Sequence, residues 1–290
     1  MKRWSRRAIV SVPYFWLGLF LLVPLLLVIK VAFAEAARAI PPFSSLTEFE
    51  DGILAIRISI NSFAVLFEDT MYLQAFFNSV VIAAGATLLC LLIGYPMAYA
   101  IARAPAHQQS ILLMLVLLPS WTSFLIRVYA WMTILGQNGP LNNFLISIGL
   151  ISEPLEILNT NLAVYIGIVY SYLPFMVLPL YANLVKHDLR LIEAAQDLGA
   201  RGLTTFTRIT LPLSKNGIIA GSMLVFIPAV GEYVIPELLG GSDTLVIGKV
   251  VWQEFFNNRD WPVASALALL LVLALLAPIV WFQRNQDAVR

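Results

Sequence analysis

Long runs of apolar residues constrain this chain more than any other feature of its sequence. The first run covers residues 9–33 and is followed by several more of similar length. A bilayer core of about 30 Å needs about 20 apolar residues per helix. Hydrophobic residues make up 60% of the 290 residues and charged residues 12%, whereas a soluble domain is about half apolar. The sequence therefore predicts an all-α membrane protein.

Hydropathy windows of about 19 residues predict six transmembrane helices. We place them at about residues 12–34, 78–103, 111–135, 161–183, 213–236 and 262–283. Each contains proline, which removes a backbone hydrogen bond that lipid cannot replace. The prolines suit kinked helices around a gated pathway, although proline is also common in membrane helices generally.

Charged residues outside the predicted helices indicate the orientation of the chain. The N-terminus carries Lys2, Arg3, Arg6 and Arg7, and the basic loops alternate with acidic ones along the chain. Because basic loops stay in the cytoplasm, we predict that both termini are cytoplasmic. The small-x-small sequence at residues 32–34 also resembles a signal-peptidase site, but the preceding run is too long for a signal peptide and suits a full span.

These predictions divide the chain into four segments. Residues 1–34 form the N-terminus and the first helix, and residues 35–77 form a periplasmic loop. Residues 78–283 form a core domain of five helices with a cytoplasmic loop at 186–212. Residues 284–290 form a cytoplasmic tail.

The cytoplasmic loop contains an amphipathic helix. One face of it carries the apolar residues Leu191, Ile192, Ala195 and Leu198, and another carries the charged residues Arg190, Glu193 and Asp197. Asp188 suits the start of this helix and Gly199 suits its end. We expect Pro212 in the first turn of the fifth membrane helix, where a missing N–H is harmless.

The spacing of residues in this loop resembles the EAA loop of binding-protein-dependent ABC importer permeases. The matching residues are Glu193, Ala194, Ala195, Gly199, Ile209, Leu211 and Pro212. The resemblance implies the type I ABC importer permease fold with six transmembrane helices. It also implies that these residues form two short helices that couple the permease to a separate ATPase. Small alanines permit close approach, Glu193 offers an anionic anchor, and Gly199 permits a sharp reversal.

Further stretches resemble the polyamine branch of that family, which carries putrescine or spermidine. They lie at residues 39–42, 118–131, 230–241 and 252–262. The resemblance implies a bacterial inner-membrane complex of this chain with a second permease, two copies of an ATPase and a periplasmic polyamine-binding protein. Another solute delivered by a binding protein remains an alternative.

Motifs for catalysis, nucleotide binding or metal binding are absent from the sequence. Gly248-Lys249 lacks the upstream glycine of a phosphate-binding loop, so ATP and Mg are expected on the partner ATPase. His107 and His187 stand alone, which argues against a metal site. The net charge of +1 gives no sign of a nucleic-acid partner. We predict no enzymatic activity and no cofactor in this chain.

A second class of function is a secondary transporter driven by an ion gradient. Such proteins use intramembrane acids or unwound helices for the coupling ion. Here the embedded charges are Arg127 and, near an outer helix end, Glu232, which favours the ATP-driven class.

Glu232 and nearby aromatic residues are the candidates for a cation pathway. The aromatic residues are Trp121, Tyr129, Trp131 and Tyr233. Their faces suit an alkylammonium group, although aromatic belts at the membrane interface predict the same residues. Arg127 is a candidate for a structural ion pair with Glu232, because a buried charge usually has a partner.

Overall fold

The computed structural model describes the backbone of residues 3–50, 53–56 and 58–287. Regular structure in this part is helical apart from one antiparallel hairpin. The first half contains α1 (Arg3–Leu17), α2 (Val23–Ala32), β1 (Thr47–Glu50), β2 (Ile53–Ile56), α3 (Asn61–Glu68), α4 (Thr70–Arg103), α5 (Ala106–Leu117), α6 (Phe124–Leu135) and α7 (Pro140–Ser147). The second half contains α8 (Asn161–Leu184), α9 (Arg190–Asp197), α10 (Gly202–Thr205), α11 (Leu211–Leu213), α12 (Lys215–Val230), α13 (Val234–Leu239), α14 (Ile247–Trp252) and α15 (Trp261–Asp287).

Three short π-helical segments and one 3-10 turn join these helices. The π segments are Gly18–Leu22, Phe206–Thr210 and Gln253–Asn257, and the 3-10 turn is Leu118–Trp121. The first π segment continues α1 into α2 without a break, and Val10–Ala32 is therefore one continuous apolar helix.

The chain divides into two compact units. The first comprises Met1–Ala75 and Ile247–Trp281. Within it, β1 pairs with β2 with Thr47 opposite Ile56. The ring of Trp261 stacks on that of Phe255 with centroids 4.8 Å apart. The carboxylate of Glu254 is buried and accepts hydrogen bonds from the Tyr72 hydroxyl and the Asn258 amide, at 3.0 and 2.9 Å.

The second unit comprises Phe76–Val246 and Phe282–Arg290. Its core lies where α4, α8 and α12 pack together, and it is made of buried residues such as Cys90, Met176 and Val225. Small residues permit this close packing, as is usual between membrane helices. A Cβ atom on Gly221 would lie 2.8 Å from the sulfur of Met176 and 3.1 Å from its carbonyl oxygen.

The apolar helices agree with the predicted all-α membrane fold. Among the residues that the structure describes, three unbroken helices are long and apolar enough to cross a bilayer, namely Val10–Ala32, Thr70–Arg103 and Asn161–Leu184. The number of spans rises to five if each of two bent helix pairs is counted as one span. The apolar part of α15, Trp261–Leu276, is shorter than these helices. It overlaps the sixth predicted span, residues 262–283.

The second predicted span is longer than expected. Its helix begins at Thr70 rather than near residue 78. The side chain of Asp69 accepts a hydrogen bond from the Met71 N–H at 2.8 Å, which stabilises the helix start at a position that hydropathy does not mark.

The third predicted span, residues 111–135, is wrong as a single straight helix. The segments Ala106–Trp121 and Phe124–Ser147 meet at an angle of 86°. The hydroxyl and the backbone N–H of Thr122 both donate to the Pro119 carbonyl, at 2.8 and 3.4 Å, so this oxygen is satisfied where the helix stops. Ser123 is extended and precedes the new helix.

The fifth predicted span, residues 213–236, is also interrupted. The run Gly202–Leu213 meets α12 at 64°, and α12 ends at Val230 before α13 begins at Val234. Pro212 therefore lies before the bend, and its expected place in the first turn of the membrane helix is wrong. The π segment Phe206–Thr210 lies directly before the short helix that contains Pro212.

Some residues used in the predictions lie outside the described part of the chain. Lys2, one of the basic residues behind the predicted orientation, is among them, and so are residues 288–290 of the predicted tail.

Candidate functional site

The helix α9 begins and ends with the local signals that its sequence predicts. The Asp188 carboxylate accepts a hydrogen bond from the Arg190 N–H at 3.0 Å. At the other end Gly199 has φ +82°, a conformation that costs glycine little. The Gly199 N–H donates to Gln196 at 2.8 Å, and the Ala200 N–H donates to Ala195 at 2.9 Å. These two bonds form a Schellman motif.

The loop turns sharply at Gly199 and exposes an apolar surface. Leu198 is 90% exposed and Leu203 is 76% exposed. Glu193 and Ala194 are exposed as well, whereas Ala195 is half-buried. We call this surface, with Glu193, Ala194, Leu198 and Leu203, the loop surface, and exposed leucines of this kind are typical of a protein contact.

The second half of the loop is anchored to α4. Phe206 packs edge-on against Tyr95 and Tyr99, with ring centroids 5.6 and 6.2 Å away. The Tyr95 hydroxyl and the Ser214 hydroxyl share a hydrogen bond of 2.8 Å. The loop is therefore in contact with α4 through aromatic rings, a contact that sequence reasoning missed.

The other predicted loop residues differ in exposure. Ile209 is half-buried, while Leu211 and Pro212 are exposed. The buried residues between positions 202 and 213 are Thr205 and Thr210. Ile209 therefore contributes to the packing of the loop, and the other two contribute to its surface.

Glu232 occupies the break between α12 and α13. Its Oε1 atom accepts from the N–H groups of Val234 and Ile235, at 3.0 and 3.4 Å, so it caps the start of α13. Its Oε2 atom accepts from the Tyr172 hydroxyl at 2.5 Å. Tyr172 lies on α8, sixty positions away, and was not singled out from the sequence.

Arg127 and Glu232 are not joined by an ion pair in the part of the chain that the structure describes. The guanidinium of Arg127 lies over the ring of Phe124, 5.7 Å from its centroid. The Nε atom of Arg127 is buried and has no hydrogen-bond partner there. The carboxylate of Glu232 is instead satisfied by neutral donors.

The candidate aromatic residues occupy different environments. Trp121 is 71% exposed and Tyr129 is 54% exposed. Trp131 packs edge-on against Tyr170 at 5.3 Å, and Tyr233 is half-buried next to Glu232 in the chain. The ring contact of Trp131 is therefore with a tyrosine of α8.

Relatives of known function share most of this chain. A spermidine/putrescine transport system permease protein, PotB, from Haemophilus influenzae is 42% identical over 278 residues, covering 96% of this chain and 93% of the relative. PotB from Escherichia coli is 40% identical over 268 residues, covering 92% and 93%.

Solved structures share the fold at lower identity. A bacterial ABC transporter involved in the import of the acidic polysaccharide alginate aligns with a TM-score of 0.69 and 20% identity, covering 99% of this chain and 96% of that one. The MetNI methionine ABC transporter aligns with a TM-score of 0.56 and 16% identity, covering 75% and 95%.

The family described as "Binding-protein-dependent transport system inner membrane component" matches residues 3–288. This match spans nearly the whole chain, including the loop surface and the break at Glu232. The chain therefore belongs to the inner-membrane components of binding-protein-dependent transport systems and is a multi-pass permease subunit of an ABC importer.

Proposed function

We propose that this permease moves polyamines, putrescine or spermidine, inward across the bacterial inner membrane. The observation that carries the proposal is the 42% identity to a spermidine/putrescine permease over 96% of the chain. The chain works in a complex with a second permease, two ATPase subunits and a periplasmic polyamine-binding protein. ATP and Mg are bound by the ATPase subunits, and both termini of this chain face the cytoplasm.

The loop surface is the part of this chain that contacts the ATPase. Its leucines are exposed, and Glu193 has no side-chain partner among the described residues. Exposed leucines around one acid suit an apolar cleft with a basic residue. The Schellman turn keeps the two short helices in a fixed relation, so force from the ATPase reaches α4 through Phe206.

Glu232 stabilises the ammonium groups of the cargo along the pathway. Its carboxylate accepts three hydrogen bonds from neutral donors and has no cationic partner among the described residues. A multiply charged cation loses several kcal/mol of hydration per charge on leaving water, and a carboxylate with no counter-ion offsets part of that loss. Aromatic faces for the methylene chain of the polyamine come from the exposed Trp121 and Tyr129 and from the half-buried Trp131 and Tyr233.

The test is uptake of labelled putrescine and spermidine by the whole complex in proteoliposomes. We expect uptake to require internal ATP and the binding protein on the outside, and to be insensitive to an uncoupler. Uptake of another solute with no response to polyamines would overturn the choice of cargo. Uptake without the binding protein that collapses with the uncoupler would indicate a secondary transporter instead.

Reporter fusions test the orientation. Fusions after Ile60, Glu153 and Asn257 are expected to be periplasmic, and fusions after Gln108 and Arg201 cytoplasmic. A cytoplasmic reporter after Ile60 would contradict the proposed topology.

A further inference from the structure

A small polar cavity lies in the second unit, apart from Glu232. Its volume is about 130 Å³, and it lies between α4, the start of α8 and the loop that follows α13. The residues used below are Asn78 and Val81 of α4, Tyr165 of α8, and Asp243 of the loop. We call it the outer cavity, because the proposed topology puts all three of these elements at the periplasmic side.

Hydrogen bonds hold the walls of the outer cavity in place. The Asn78 amide donates to the Leu245 carbonyl at 3.2 Å. The Thr244 hydroxyl donates to Asn161 Oδ1 at 2.9 Å and accepts from the Gly241 N–H at 3.2 Å. The loop is therefore fixed to both α4 and α8, and the cavity is preformed.

The groups that remain available in the cavity are mainly acceptors. The Asn78 amide uses its nitrogen for Leu245, which leaves its oxygen available. The exposed Asp243 carboxylate accepts one hydrogen bond, from the Ser242 hydroxyl at 3.3 Å, and has three further lone pairs. No lysine, arginine or histidine lines the cavity, so its walls carry net negative charge.

This combination of groups suits a primary ammonium better than a metal ion or an anion. Among the residues that the structure describes, no three His, Cys, Asp or Glu side chains are placed to hold a metal. An anion would be repelled by Asp243. An ammonium donates three hydrogen bonds, and the Tyr165 ring offers a face that attracts cations and covers methylene groups.

The outer cavity is aligned with the Glu232 site along α8. Tyr165 lines the cavity, and Tyr172 donates to Glu232. Residues seven positions apart lie on the same helix face, about 10 Å apart along the axis. The two tyrosines that border the cavity and the Glu232 site are therefore about two helical turns apart on one face of α8.

We propose that the outer cavity is a first binding site for an alkylammonium group, with Asp243 as its counter-charge, Asn78 as a second acceptor and Tyr165 as the aromatic wall. This inference rests on the proposed polyamine transport. It adds a site that receives cargo from the periplasmic side before the cargo reaches Glu232.

The test uses a cysteine in the cavity wall as a reporter. Val81 lines the cavity and is 46% exposed, whereas the native Cys90 is buried. In the whole complex, putrescine is expected to slow thiol labelling of V81C. With Asp243→Asn added, about tenfold more putrescine is needed for the same protection, because a charge-assisted hydrogen bond is lost. The matched control is Glu153→Gln, which removes an exposed carboxylate outside the cavity.

Direct binding of labelled putrescine to the complex without its binding protein is the second measurement. It needs no cysteine and compares Asp243→Asn with Glu153→Gln. Equal protection and equal binding in the two variants would overturn the site. If the wild-type complex takes up polyamine normally in that case, only the site has failed. If the wild-type complex takes up none, the proposed cargo has failed as well.

Discussion

The Tyr172 hydroxyl donates to the Glu232 carboxylate at 2.5 Å and so ties the middle of α8 to the break between α12 and α13. The same carboxylate caps α13 through the N–H groups of Val234 and Ile235. One acid therefore fixes the geometry of a helix break and stands in the proposed path of the cargo. In the proposed function, an ammonium group of the cargo that binds this carboxylate competes with its hydrogen bonds to Tyr172, Val234 and Ile235.

Tyr172→Phe removes one donor and leaves the cap of α13 in place. We expect normal chain abundance, a loss of stability of about 1–3 kcal/mol for the hydrogen bond to the charged group, and slower polyamine uptake. The measurements are thermal unfolding of the purified complex and initial uptake rates. Tyr170→Phe is the control, because Tyr170 packs on Trp131 and has no bond to Glu232.

Glu232→Gln, alone and with Arg127→Gln, separates the cargo role from a structural role. If Glu232 serves the cargo, the single change slows uptake at normal abundance, and the double change does not restore it. Recovery of both abundance and uptake in the double variant would instead show that the two residues are coupled as a pair, and the pathway role would be withdrawn.

Local signals in the sequence predict the ends of α9, and hydropathy predicts the apolar segments. Asp188 and Gly199 act on neighbouring backbone groups, so their roles follow from the sequence alone. The breaks at Thr122 and Gly231 were not predicted, because hydropathy is averaged over a window and is insensitive to one missing hydrogen bond. The bond between Tyr172 and Glu232 depends on how α8 packs, which no local pattern encodes.

Gly199 and Gly202, both in the loop at residues 186–212, offer a matched pair of substitutions. A Cβ atom on Gly199 or on Gly202 would meet nothing within 4 Å, but only Gly199 has positive φ. Gly199→Ala is expected to cost about 1 kcal/mol in the turn and to reduce ATPase co-purification and stimulation at normal chain abundance. Gly202→Ala is expected to leave both unchanged, because alanine favours the helix that begins there. Equal behaviour of the two variants would contradict a role for the turn.

His187 follows the end of α8, shares a hydrogen bond of 3.1 Å with Asn183 of that helix, and gives the stability of the protein a dependence on pH. Burial, together with the positive charge of Arg103, lowers the pKa of His187 below its usual value. The folded state therefore favours neutral His187, and its contribution to stability is full above about pH 6.5. That contribution is lost as the pH falls from there through the lowered pKa, because the unfolded chain binds the proton first.

The measurement is the thermal unfolding of the complex between pH 7.5 and 5.5. His187→Asn is expected to weaken the dependence on pH in this range. The control is His107→Asn, because His107 is the other histidine and is exposed. A pH profile that is unchanged by His187→Asn, or changed equally by His107→Asn, would rule out His187 as the group responsible.

The contact of Gly221 with Met176 sets how closely α12 approaches α8. A Cβ atom at Gly221 would lie 2.8 Å from the Met176 sulfur, which belongs to a buried but flexible side chain, and 3.1 Å from its carbonyl oxygen, which belongs to a helix backbone and cannot yield independently. Gly221→Ala is therefore expected to force the helices apart and to cost about 1–3 kcal/mol, as overpacking does elsewhere. Because Glu232 follows α12 and Tyr172 lies on α8, the same shift lengthens their hydrogen bond, and uptake falls together with stability. Gly18→Ala is the control, since a Cβ atom there meets nothing within 4 Å. Thermal unfolding and uptake are measured on both variants. If the Gly221→Ala complex is as stable and as active as the Gly18→Ala complex, the contact at Gly221 does not limit the approach of α8 and α12.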